Sequence, residues 1–162
     1  QQATDLLMSG KSVVVMLCSV AMVGVLTGFS EELFFRGGLQ NIFSRMSRNK
    51  HIAVWGAALV FSALHFQFYG FVPRLLLGVF FGYMLLWGGS LWLPIIGHVL
   101  NNSMVVIFTY LDRYGGYSKD LSTIGCTDGF PLLALLSCIL TVGGMIALHR
   151  YFQYKSYGTA AD

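Results

Sequence analysis

SVVVMLCSVAMVGVLTGFSEELFFRGGLQNIF, residues 12–43, is an apolar run with two glutamates and an arginine set into its second half. About twenty residues of helix cross the hydrocarbon core of a bilayer, so this stretch is too long for one perpendicular span. Ionisable groups buried unpaired in such a helix cost several kcal/mol each, so Glu31, Glu32 and Arg36 imply polar partners elsewhere in the chain. Two further insertions supply them, Phe61-x-x-x-His65 and His98-x-x-x-Asn102, each again in an apolar setting. Three insertions of this kind predict one shared, partly hydrated polar site.

The remaining composition fits that reading. The 162 residues are 56% hydrophobic and only 10% charged, and the mean hydropathy is +0.67. A soluble domain carries far more charge, so the expected class is an all-α, polytopic transmembrane helical bundle. Five spans are expected: Ser12 towards Phe43, with Gly24, Gly28, Gly37 and Gly38 as bend points; Ile52–Phe66; Pro73–Trp87; Leu93–Leu111; and Pro131–Phe152. One transmembrane domain is expected over residues 1–155, with a disordered tail over 156–162. The chain begins at Gln1 rather than Met, so a trimmed fragment is expected and five is a lower bound on the spans.

Basic residues fall between spans rather than on one face, which suits membrane orientation and not a nucleic-acid partner. Arg45, Arg48 and Lys50 place the first connection inside; alternation then puts the Asp112–Gly129 loop outside and the tail, with Arg150 and Lys155, inside. No secretory signal peptide opens the chain. Cys18, Cys126 and Cys138 are odd in number and lack metal or redox spacing. No phosphate-loop, nucleophile-elbow or H-E-x-x-H pattern occurs.

Helix geometry tests whether the insertions can meet. At 1.5 Å per residue, Glu31 lies about 21 Å from Arg45, His65 about 22 Å from Lys50, and Asn102 about 20 Å from Gly89. The depths match. Residues four apart share a helix face, so Glu32 and Arg36 are placed for an ion pair and Glu31 points elsewhere. That leaves Glu31 free to act as a general base. His98 and Asn102 project together and could both donate to a developing oxyanion. Asn101, three positions after His98, is the rival amide and is expected to bridge helices instead. A purely structural reading stands beside each assignment: the Glu31–Glu32–Arg36 triplet could only lock helices, and His65 could simply bond a neighbouring helix. Gly24-x-x-x-Gly28 and Gly78-x-x-x-Gly82 are expected to let helices approach closely.

In their order, E-E-x-x-x-R, F-x-x-x-H and H-x-x-x-N resemble the motifs of the CPBP family, the CAAX proteases and bacteriocin-processing enzymes formerly called Abi. The type II CAAX prenyl endopeptidases are its best-understood members. The resemblance runs from about Gly28 to Ser103 and includes the block from Gly89 to Asn102. It implies an intramembrane endopeptidase in which Glu31 activates water, Glu32 and Arg36 support it, His65 positions the water, and His98 with Asn102 stabilises the oxyanion. Glu31, His65 and His98 would be the ligands if a metal is used, with zinc the expected ion. The implied partners are the lipid bilayer and a membrane-associated or lipidated peptide or protein, and the implied setting is a bacterial inner membrane. Two alternatives stand against it. One is a non-catalytic membrane partner or immunity protein whose polar cluster only fixes packing. The other is a small transporter, which would need a polar route to both faces.

Overall fold

The structure, a computed structural model, describes residues 12–47, 49–115 and 132–158. These form five helices: α1, Val13–Met46; α2, Lys50–Ala63; α3, Phe71–Gly88; α4, Trp92–Tyr114; and α5, Leu132–Gly158. No strand occurs among the described residues. The expected outer loop beyond Gly115, with Asp120, Cys126 and Asp128, and the tail residues 159–162 lie outside them.

The helix ends follow local chemistry. Ser12 and Asn49 cap α1 and α2, their side-chain oxygens accepting from Val14 N at 3.2 Å and His51 N at 2.9 Å. Gly89 closes α3 with φ +63°, a left-handed position open to glycine, and its N–H donates to Leu85 O at 2.9 Å. The 34-residue α1, α3 and α4 are long and apolar enough to cross a membrane, whereas α2 is a shorter apolar helix of 14 residues. The long first apolar run is one continuous helix. It absorbs its length through two widened π-helical stretches, Val20–Thr27 and Leu33–Leu39, which contain Gly24, Gly37 and Gly38. Thr27 Oγ1 donates to Met22 O five residues back at 3.1 Å, the reach of a π turn.

Many large apolar side chains face outward, while the buried set mixes small and polar residues with a few aromatics such as Phe61 and Phe81. Leu17, Leu26, Phe34, Leu59, Leu76 and Leu100 are all more than half exposed. The buried face of α2 is Ala53, Val54, Ala57, Ala58, Phe61 and Ser62. In lipid there is no hydrophobic gain from hiding leucine, so close approach of small residues and interhelical hydrogen bonds hold the helices instead.

The chain packs as two compact units. In one, formed by residues 1–28 and 99–144, Gly24 and Gly28 meet Ser103 and Val99; a Cβ on Gly28 would lie 3.1 Å from Val99 N. In the other, residues 29–98 and 145–162, Gly78 sits against Ala58 and Phe61, and Gly82 against Val54 and Gln40. Arg36 Nη2 donates to Gly78 O at 2.9 Å, and Gln40 Nε2 to Gly82 O at 3.1 Å. Two residues one turn apart on α1 thus bond two carbonyls one turn apart on α3, which the missing side chains leave open. A Cβ on Gly82 would fall 2.8 Å from Val54 Cγ1 and 2.9 Å from Gln40 Oε1. Gly82→Val is therefore expected to cost about 1–3 kcal/mol by overpacking. Gly143→Ala, where a Cβ meets nothing within 4 Å, is the neutral control. Thermal unfolding in detergent followed by helical circular dichroism checks both.

Candidate active site

The second unit gathers Glu31, Glu32, Arg36, His65 and His98. Glu31 and Glu32 lie in the α-helical stretch Gly28–Glu32, between the two π stretches of α1. Glu32 is a hub. Its Oε1 accepts from Arg36 Nη1 at 2.6 Å and contacts His98 Nδ1 at 2.6 Å, with all three side chains almost wholly buried. A carboxylate only accepts, so Nδ1 of His98 carries a proton and Nε2 is left for other work.

That Nε2 faces Glu31. Glu31 Oε2 lies 3.5 Å from His98 Nε2, and Glu31 Oε1 lies 3.9 Å from His65 Nε2. His65 Nδ1 is 2.8 Å from Phe61 O, another pure acceptor, so its Nε2 is likewise the free nitrogen in the neutral ring. Glu31 is 24% exposed and His65 30%, against 0% for Glu32 and 3% for His98. Only the first two can be reached from outside.

Aromatic rings fix these groups in place. Phe81 stacks on the His98 imidazole at 4.9 Å, and Phe61 meets His65 at 5.0 Å and His98 at 5.9 Å edge-on. The Arg36 guanidinium lies 4.8 Å from the Phe61 centroid and 5.6 Å from that of Phe81, within cation–π range. Phe61 therefore touches three of the polar residues, which accounts for an aromatic four positions before His65. Directly after His65 the chain turns through Phe66 at φ 51°, a rare value for a bulky residue. Backbone strain of this kind concentrates at functional sites. Phe66, Phe68 and Tyr69 follow almost fully exposed.

Asn102 belongs to the first unit, where its Nδ2 lies 3.4 Å from Val23 O and its Oδ1 accepts from Asn101 Nδ2 at 3.3 Å. Gln40 and Phe81 were not singled out from the sequence. Gln40 could have been, since it extends the Glu32, Arg36 series by one more turn; nothing marked Phe81 among so many aromatics.

The histidine tautomers are those a metal site uses, with each Nδ1 held by an oxygen acceptor. As placed, however, no three His, Cys, Asp or Glu side chains among the described residues converge closely enough to hold an ion.

Helices long and apolar enough to cross a bilayer, enclosing a carboxylate–imidazole cluster packed in aromatics, define a polytopic membrane protein with a buried polar site. The chain belongs to the type II CAAX prenyl endopeptidase Rce1-like family, which it matches over residues 13–104. It is also 32% identical over 85 residues to the "Uncharacterized protein YpbD" of Bacillus subtilis (strain 168), an alignment covering 50% of this chain and 40% of that protein. The chain thus spans well under two thirds of that relative's length. No solved structure matches it.

Proposed function

We propose that the protein is an intramembrane endopeptidase that hydrolyses a peptide bond of a membrane-associated or lipidated substrate. The observation that carries this reading is the partly exposed Glu31 carboxylate faced by two imidazole Nε2 atoms at 3.5 and 3.9 Å, while Glu32 is committed to Arg36 and His98. Family membership supports it independently.

In the proposed reaction a water lies between Glu31 and the scissile carbonyl, and His65 Nε2 accepts a hydrogen bond from it. Glu31 takes one proton as the water oxygen bonds to the carbonyl carbon. His98 Nε2 is the proposed donor to the oxyanion, a role that needs a second proton on the ring beside the one Nδ1 presents to Glu32. Asn102, one turn further along α4, is the second proposed donor, on spacing alone. Collapse of the tetrahedral intermediate breaks the C–N bond, and the proton held by Glu31 passes to the leaving amine. The Glu32–Arg36 pair orients His98 and balances charge. A prokaryotic plasma membrane is the proposed setting, in keeping with the Bacillus relative.

The test is cleavage of a membrane-peptide library by the purified protein in oxygen-18 water, with and without a zinc chelator. The expected result is one labelled oxygen in each new carboxyl group and an unchanged rate with chelator. Cleavage without label would overturn hydrolysis by water, and chelator inhibition reversed by zinc would replace the metal-free scheme.

A further inference from the structure

A cavity of about 330 Å³ opens in the same unit as the candidate site and is lined by none of Glu31, Glu32, His65 and His98. Its volume falls within the roughly 300–1,000 Å³ of small-molecule sites. One side is polar, with Arg36, Gln40, Asn41, Ser44 and Lys50; the other is a wall of Leu85, Leu86 and Leu91. Among the described residues no acidic side chain lines it. Arg36 is neutralised by Glu32, and Lys50 has no ion-pair partner among the described residues, so the cavity carries one uncompensated positive charge. Gln40 is only 5% exposed; its amide nitrogen is bonded to Gly82 O, but its Oε1 has no partner among the described residues. A buried acceptor without a protein partner calls for a donor, which water or a ligand hydroxyl can supply.

The occupant must therefore offer an anion, a hydrogen-bond donor and an apolar body. Position narrows this further. Lys50 begins α2 and Arg45 lies in the last turn of α1, so the cavity sits at the charged margin of an apolar helix pair. Basic pockets between membrane helices take acidic lipid headgroups. We propose that this cavity binds the headgroup of an anionic phospholipid bearing free hydroxyls, with its phosphate at Lys50, a hydroxyl donating to Gln40 Oε1, and an acyl chain along the leucine wall. This inference requires nothing of the hydrolase reading.

The experiment is native mass spectrometry of the full chain in detergent. It compares dioleoyl phosphatidylglycerol with dioleoyl phosphatidylcholine and with dioleoyl phosphatidic acid, which has the phosphate but no headgroup hydroxyls. One phosphatidylglycerol should be retained at least about 10-fold better than phosphatidylcholine. Lys50→Gln, at an exposed position, should weaken it about 5-fold, the effect of one cation near a membrane surface. Gln40→Leu should bring phosphatidylglycerol down to the level of phosphatidic acid and leave phosphatidic acid unchanged. Equal retention of phosphatidylglycerol and phosphatidylcholine, or Lys50→Gln binding phosphatidylglycerol as the wild type does, would overturn the proposal even if Gln40→Leu failed to fold. Full displacement by equimolar sn-glycerol 3-phosphate would overturn the lipid assignment in favour of a soluble phosphate ligand.

Discussion

Glu31→Gln is expected to lower cleavage by about 10²- to 10⁴-fold, the contribution of a positioned general base. The amide keeps the volume and polarity of the side chain but cannot accept the proton from water. Folding should be unaffected, because Glu31 is partly exposed and its contacts at 3.5 and 3.9 Å are too long to be strong hydrogen bonds. Initial rates on the best substrate from the library, at matched helicity and melting temperature, make the comparison. A rate within tenfold of wild type would remove Glu31 from the chemistry and favour a non-catalytic membrane partner or immunity protein.

The largest effect on stability should come from Arg36→Met. The guanidinium is 1% exposed and answers three needs at once: the charge of Glu32, the carbonyl of Gly78, and the faces of Phe61 and Phe81. Removing one member of a buried ion pair costs about 3–5 kcal/mol, mostly because the other charge stays behind. Adding Glu32→Gln to Arg36→Met should restore much of that loss, since no bare carboxylate is then buried. Cleavage should stay low in the double variant, because His98 has lost its orienting charge. Unfolding in detergent, followed beside the cleavage assay, separates the two roles. If Arg36→Met alone unfolds like wild type, the pair is not a structural element.

How much of this could be read from the residues differs from place to place. The Glu32–Arg36 pair follows from a spacing of four on a helix, and the five helices follow from apolar length and turn chemistry at Asn49 and Gly89. Both kinds of signal are local. The bond between Glu32 and His98 joins residues 66 apart, and no helical periodicity relates positions on different helices. Depth matching allowed His98 to meet either glutamate but could not choose between them. The π stretches were hidden for a related reason: glycines announce that a helix will deviate, but the same glycines permit a bend, a close approach or a widened turn. Gln40 illustrates the reverse case. Its place on the face of Arg36 was visible, but its importance comes from a bare carbonyl on α3.

The shortness of α2 bears on how water arrives at such a site. Fourteen residues rise about 21 Å, against a hydrocarbon core of about 30 Å, so the turn that carries His65 comes well short of a full crossing. A hydrophobic segment shorter than its bilayer is accommodated by thinning of the lipid around it. Thinning of this kind beside α2 is expected to bring solvent towards His65, next to the exposed rings of Phe66, Phe68 and Tyr69. Host lipids with longer acyl chains would resist that deformation, which makes bilayer thickness a determinant of how readily solvent reaches Glu31.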